Sequence, residues 1–277
     1  MMEPGIHFNI SNDEYHADRS AVGRSGLMAM LRSPAYYYGQ YLDPACPPES
    51  DTESAARLFG NMVDCAMTEP AALNTRYLVG PDVNKNTNEW KAFKKECVAA
   101  GAQAVDADAL KRAKAARAGA MRVPDIARLF SKGFGQVTAC AIDPTTGVKI
   151  KVRPDHVYPV NDKQVILADV KTYKSCDEED FGRVQVVSMG YDIQDVLYSD
   201  VYARASGMEV LGFIFIVIEA EYPHVTAQME LAPEARASAQ RKVRRALDTY
   251  HECRTTNVWP GHGDDLKTIV VPPYHLE

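Results

Sequence analysis

Apolar positions in the 277-residue chain recur at helical spacing up to about residue 130, and from residue 136 they alternate or run unbroken as strands do. Leu27, Met28 and Leu31 predict a helix N-capped by Ser25 and ended at Ser33-Pro34. Leu58, Met62, Cys65 and Ala66 form the apolar face of a helix over 55–68, closed by Glu69-Pro70. An Ala-rich stretch, 107–130, predicts a helix or helix pair broken at Pro124, with Lys111, Arg112, Lys114 and Arg117 outward. Residues 9–15 read as a turn-rich lead-in and 44–54 as a polar, Pro-rich linker.

Residues 136–153 predict a hairpin about the turn Pro144-Thr145-Thr146-Gly147. Val148, Ile150 and Val152 alternate with Lys149, Lys151 and Arg153, the pattern of a half-buried strand that Pro154 ends. QVILADVK, 164–171, predicts the next strand, the apolar run 210–218 one buried on both faces, and 225–231 an outer strand. Helices are expected through Phe181, Val184 and Val187, over 192–205, and over 233–257, the last with Arg236, Arg241, Lys242, Arg244 and Arg245 on a charged outer face. The sum is an α/β chain with a mixed central sheet flanked by helices. We expect one domain over 1–277: a mainly helical N-terminal elaboration (1–135), a sheet-and-helix centre (136–232), and a C-terminal helix and tail (233–277).

Chemistry concentrates in that centre. Side chains alternate along a strand, so Asp169 and Lys171 share the face of Val165 and Leu167, and Asp155 follows the preceding strand. Two carboxylates and an ammonium at the open end of a sheet suit a divalent cation such as Mg²⁺, which takes one or two carboxylates and fills its remaining positions with water and phosphate. The lysine can orient a water or stabilise charge on a reacting phosphate.

Composition narrows this only slightly. With 46% hydrophobic residues the chain can bury a sizeable core, and no apolar run reaches membrane-spanning length. The first residues lack a secretory pattern, and a cytoplasmic protein is expected. Six scattered cysteines without a C-x-x-C pair read as isolated thiols. A net charge of −6 disfavours nonspecific coating of nucleic acid but leaves room for a local basic groove.

The ordered set Arg153-Pro154-Asp155, then Asp169-Val170-Lys171, then Gln194-x-x-x-Tyr198 resembles the PD-(D/E)XK nuclease superfamily, in its RecB-like, lambda-exonuclease-like branch. Tyr15-His16, the Arg-Ser-Gly-Leu around Ser25, and Ser33-Pro34-Ala35 are similar to the opening of RecE-type exonuclease VIII nuclease domains. The resemblance, spanning about Tyr15 to Tyr250, implies a restriction-endonuclease-like core. It also implies catalytic roles for Asp155, Asp169, Lys171, Gln194 and Tyr198, and Mg²⁺ (with Mn²⁺ as substitute) held by Asp155, Asp169, Asp64 and the Val170 carbonyl. The related domains place a metal-binding histidine after Gly-x-x-x; here Gly60-Asn61-Met62-Val63 leads into Asp64, a harder oxygen ligand. A glutamate tends to open their hairpin, where this chain has Gln136.

By resemblance, the activity is processive 5′-to-3′ degradation of double-stranded DNA ends, in recombination, repair or phage-type strand annealing. A single-strand annealing protein would be the partner, and a ring-shaped homo-oligomer would supply processivity. An endonuclease of the same fold, and a catalytically silent DNA-binding or assembly module, are the alternatives. The four-cysteine iron–sulfur spacing of Cas4-like nucleases is missing from the sequence.

Further candidates for DNA contact are Arg153, Tyr191, and Lys94 and Lys95, which with Lys85 and Lys91 interleave Trp90 and Phe93. Tyr191 lies one turn ahead of Gln194 and Tyr198 on one helix stripe. Tyr36, Tyr37, Tyr38 and Tyr41 read mainly as packing residues. His262, Asp264 and Asp265 have no metal-site spacing.

Overall fold

Two long strands, Gln164–Tyr173 and Glu209–Glu219, run parallel down the middle of a five-stranded sheet. The sheet order is Thr226–Met229, Glu209–Glu219, Gln164–Tyr173, His156–Asn161 and Phe134–Gly135, and every pairing outside the central one is antiparallel. The sheet is therefore mixed, as the apolar patterning predicts. The structure is a computed structural model and describes residues 1–47, 54–263 and 265–270. Residues 48–53 of the expected linker and Asp264 lie outside the described residues.

Both faces of the sheet are covered, which is why its central strands tolerate unbroken apolar sequence. On one face Val165, Leu167, Phe213, Phe215 and Val217 pack with Leu197 and Val201 of the helix Tyr191–Ser206. On the other, Ala168, Val170, Ile216 and Ile218 meet Met62, Val63 and Ala66 of the helix Ala55–Thr68 and Ala113 and Ala116 of the helix Ala107–Ala120. Each large aliphatic side chain so buried contributes roughly 1.5–3 kcal/mol. Asp169 and Lys171 continue the first face, and the Ala55–Thr68 helix that carries Asp64 lies across the second.

A second sheet joins Gly5–His7, Thr138–Ile142 and Lys149–Val152, all antiparallel. Its hairpin pairs Ile142 with Lys149 about the expected turn. The strand Gly5–His7 precedes the expected turn-rich lead-in, and within that lead-in a helix, Asn12–Ala17, begins at a capping box between Ser11 and Glu14. These first residues cover the strand expected to be half-exposed. Lys151 is buried, and its ammonium caps the carbonyls of Tyr15 and Asp18.

Other departures have equally local causes. His156–Asn161 forms a strand despite Pro159, because beyond Val157 no strand pairs on its outer side and a missing N–H costs little there. The first long helix runs Arg24–Arg32 with Gly23 as its cap, so Ser25 sits inside the first turn; Ser33 instead caps the helix Pro34–Tyr41. Residues expected as a helix through Phe181 form a π-helical turn, Phe181–Val186, between two short α-helical pieces. Trp90 is buried in a regular helix, Asn88–Ala99, and Tyr37 stacks against Trp259 with centroids 5.5 Å apart. The break at Pro124 falls as expected, separating Ala107–Ala120 from Pro124–Leu129. The helix Pro233–Thr256 starts with its proline in the first turn.

Candidate active site

At the end of the strand His156–Asn161 the sheet opens, since Gln164–Tyr173 runs on past its last partner, Ala168. Asp155, just ahead of His156, turns its carboxylate into that gap, and its Oδ2 accepts from the Val170 N–H at 2.8 Å. A residue's N–H and C=O point the same way in an extended strand. The Val170 carbonyl therefore faces the same open side as the Asp155 carboxylate.

Asp169 is almost wholly buried on the neighbouring face. Its Oδ1 accepts from Gln194 Nε2 at 2.5 Å, and its Oδ2 pairs with the Lys171 ammonium. The ring of Tyr191 covers that ammonium, with Nζ 4.7 Å from the centroid. Gln194 is held in turn by Arg24, whose Nη1 donates to Oε1 at 3.0 Å while Nη2 donates to the Met189 carbonyl at 2.5 Å. Gly190 makes this corner possible: it takes a left-handed φ of 64°, and a Cβ there would meet Met28 at 2.5 Å.

Asp64 reaches the cluster from the helix on the opposite face. Its Oδ2 accepts from Gln136 Nε2 at 3.0 Å, and its Oδ1 is sealed from solvent without a partner. Electrostatics join the three carboxylates into one unit. Burial, then the charge of Asp169, pushes the Asp64 carboxyl up to about 7. Burial and the charges of Asp169 and Asp64 drive Asp155 well above the ordinary carboxylate range. Burial alone would lower the Lys171 amine, but the carboxylates of Asp169 and Asp155 outweigh it and raise its pKa, so the group stays an ammonium.

Three carboxyl groups thus crowd one ammonium, with an orphaned acceptor oxygen in a sheltered place. That donor set fits a hard divalent cation. Among the described residues no group of three or more His, Cys, Asp and Glu side chains is drawn together as a ready-made metal site. The oxygens that would hold such a cation are those of Asp64, Asp155, Asp169 and the Val170 carbonyl.

Tyr198 lies one turn beyond Gln194, buried, edge-on to Phe213 at 6.1 Å, with burial holding its phenol well above the usual tyrosine range. Arg153 is a strut: it donates to Thr138 Oγ1 and to the Ile10 and Ser11 carbonyls, and stacks over Tyr15. Its Nε and Nη2 are therefore engaged by the chain itself. Lys94 and Lys95 are exposed on the helix Asn88–Ala99, which packs on the short strand Gln103–Val105. Arg24 belongs to the site's framework and its sequence signal, one arginine in the Arg-Ser-Gly-Leu quartet, did not reveal its partner.

The comparisons with known proteins bear on the fold. A crystal structure from Eubacterium rectale, named only provisionally as an exonuclease, superposes with a TM-score of 0.62 at 16% identity, over 96% of this chain and 97% of that one. At that identity the likeness shows the fold, a restriction-endonuclease-like α/β core. The structure of SSO0001 (TM-score 0.27, 21% identity, 42% of this chain and 48% of that one) and that of protein VC1899 from Vibrio cholerae (0.23, 9%, 83% and 56%) are too distant to carry an argument. None of the curated proteins matches the sequence. Residues 23–269 match the PDDEXK-like domain of unknown function DUF3799, and the chain belongs to that family.

Proposed function

We propose that this chain is a divalent-metal-dependent deoxyribonuclease that hydrolyses phosphodiester bonds at the ends of double-stranded DNA. The observation that carries the reading is the meeting of Asp64, Asp155 and Asp169 with Lys171 at the open end of the sheet, three carboxylates sharing one counter-charge. A bound Mg²⁺ or Mn²⁺ would neutralise charge on the scissile phosphate and lower the pKa of a coordinated water.

The chain's own residues do the rest. Asp155, Asp169 and Asp64, with the Val170 carbonyl, hold the cation. Gln194 fixes the Asp169 carboxylate by donating to Oδ1, while Lys171 pairs with Oδ2. Lys171, kept protonated by its neighbours, donates to the attacking water or to a phosphate oxygen and stabilises charge building there. Arg24 and Tyr191 hold Gln194 and Lys171 in place from above. Tyr198 stands behind them as a positioning phenol.

Attack from DNA ends, 5′-to-3′ polarity, ring assembly and partnership with a single-strand annealing protein belong to this proposal through the RecE-type resemblance of the N-terminal motifs. The test is digestion of duplexes labelled separately on each strand and end, beside covalently closed circles, with Mg²⁺ and with EDTA. Linear duplex should be degraded from its 5′ ends, circles should survive, and EDTA or Asp169→Asn should stop the reaction. Loss of closed circles would replace the exonuclease reading with an endonuclease one. No Mg²⁺-dependent cleavage of any substrate would leave a silent fold.

A further inference from the structure

Gln136 stands where a left-handed backbone is required and yet is not glycine. Its φ is +53°, a conformation that L side chains rarely adopt. Its neighbour Gly135 is pressed so closely on the end of the Asp64 helix that a Cβ there would lie 2.6 Å from the Thr68 carbonyl. A second glycine at 136 would relieve the backbone at no steric cost, so the side chain has to be accounted for by what it touches.

It touches two of the cluster's members. The Gln136 N–H donates to the Asp155 carbonyl at 3.0 Å, and the side-chain amide donates to Asp64 Oδ2 at 3.0 Å. One residue therefore ties the Asp64 helix to the segment bearing Asp155, across the gap where a cation would sit. The amide occupies one oxygen of Asp64 and leaves the other, Oδ1, sealed and without a partner. A carboxylate that must point one lone pair at a cation gains orientation from a donor on its other oxygen.

We propose that Gln136 is a positioning residue that sets Asp64 as a cation ligand, its amide serving as the donor that a carboxylate at 64 needs. The inference rests on the metal-dependent reading above. A glutamate at 136 would set a second negative charge against Asp64, whereas the amide donates to it.

The test is Mn²⁺ affinity of the whole purified chain, measured by electron paramagnetic resonance, alongside the melting temperature of the metal-free protein. Gln136→Glu keeps the side chain's size, and Gln136→Gly removes it while relaxing the backbone. Both should bind Mn²⁺ about 10- to 100-fold more weakly than wild type. The metal-free melting temperature of Gln136→Gly should stay within about 2 °C of wild type, since backbone relief offsets the lost hydrogen bond. Asp64→His combined with Gln136→Glu should recover affinity relative to Gln136→Glu alone, because an imidazole N–H can donate to the new carboxylate.

Asp169→Asn, which removes a ligand directly, is the control. Wild-type affinity in both Gln136 variants, with binding lost in Asp169→Asn, would overturn the role of Gln136 while leaving the cation site standing. A lowered melting temperature with unchanged affinity would do the same, marking the residue as a structural tie. Failure of the wild-type protein to bind Mn²⁺ would overturn both.

Discussion

At the scale of single residues, the site's pH behaviour follows from the crowding of its carboxylates. Asp64, raised to about 7 from an ordinary 3.8, holds a proton over much of the weakly acidic range, and Asp155 is raised as well. A cation must displace those protons, so Mn²⁺ affinity should fall about tenfold per pH unit for each proton released below pH 7. Stability of the metal-free protein moves the opposite way. A carboxyl whose folded pKa lies above its unfolded one stabilises the fold below the unfolded value and loses that contribution as pH rises through the folded one. The metal-free protein should therefore melt at a higher temperature at pH 5 than at pH 8, and Mg²⁺ added at pH 8 should restore the difference. A flat melting profile from pH 5 to 8 would refute the coupling.

Lys171 should separate chemistry from binding. In Lys171→Met the donor that steadies the reacting phosphate is gone, and turnover should drop about 10²- to 10³-fold. The same change leaves the Asp169 carboxylate without its ion-pair partner, so Mn²⁺ should bind as tightly as before or more tightly. Parallel titrations and single-turnover cleavage would show the split. Equal loss in both would mean the lysine holds the site's shape and has no separate part in the reaction.

At the scale of elements, the helix Tyr191–Ser206 decides whether the site assembles. Its first turns carry Tyr191, Gln194 and Tyr198, and its entry is fixed by the left-handed Gly190 and by the bond from Arg24 to Met189. Gly190→Ala should cost about 1–2 kcal/mol from the left-handed backbone, more if Met28 cannot yield. Cleavage should fall beyond what that stability loss explains, because Gln194 shifts relative to Asp169. Thermal melts and assays of the same preparation provide the check, and unchanged activity with lowered stability would show that the helix entry is not critical. Much of this level is legible in sequence. Helical and alternating periodicities marked the Ala55–Thr68 helix, the hairpin, the central strands and the last helix, because those patterns record which side of each element meets apolar neighbours. The strand through Pro159 and the π-turn at Phe181 were not legible, since each depends on which edge is left unpaired or on a neighbouring corner.

At the scale of the whole molecule, the site gathers Arg24, Asp64, Gln136, Asp155, Asp169, Lys171 and Gln194 from stretches across most of the chain. Cation binding should therefore be linked to global unfolding. At a Mg²⁺ concentration 100 times its dissociation constant the native state gains about 2.7 kcal/mol, a rise of about 5–10 °C for a chain of this size. Asp169→Asn should abolish the rise, and a shift that persists in that variant would place the cation elsewhere. No helix among the described residues is long and apolar enough to cross a membrane.

The chemistry's vocabulary is written in the chain: an acidic residue and a lysine two apart on one strand, and a glutamine and tyrosine four apart on a later helix. Such relations lie within a few residues, where backbone geometry alone dictates which side chains share a face. Only the tertiary structure decided who partners whom across long separations: Asp64 with Gln136, 72 residues apart, and Arg24 with Gln194, 170 apart. Periodicity is silent on these, because a hydrogen bond between distant segments is set by how helices and sheet pack, and the same two residues would read as exposed polar positions in any other arrangement.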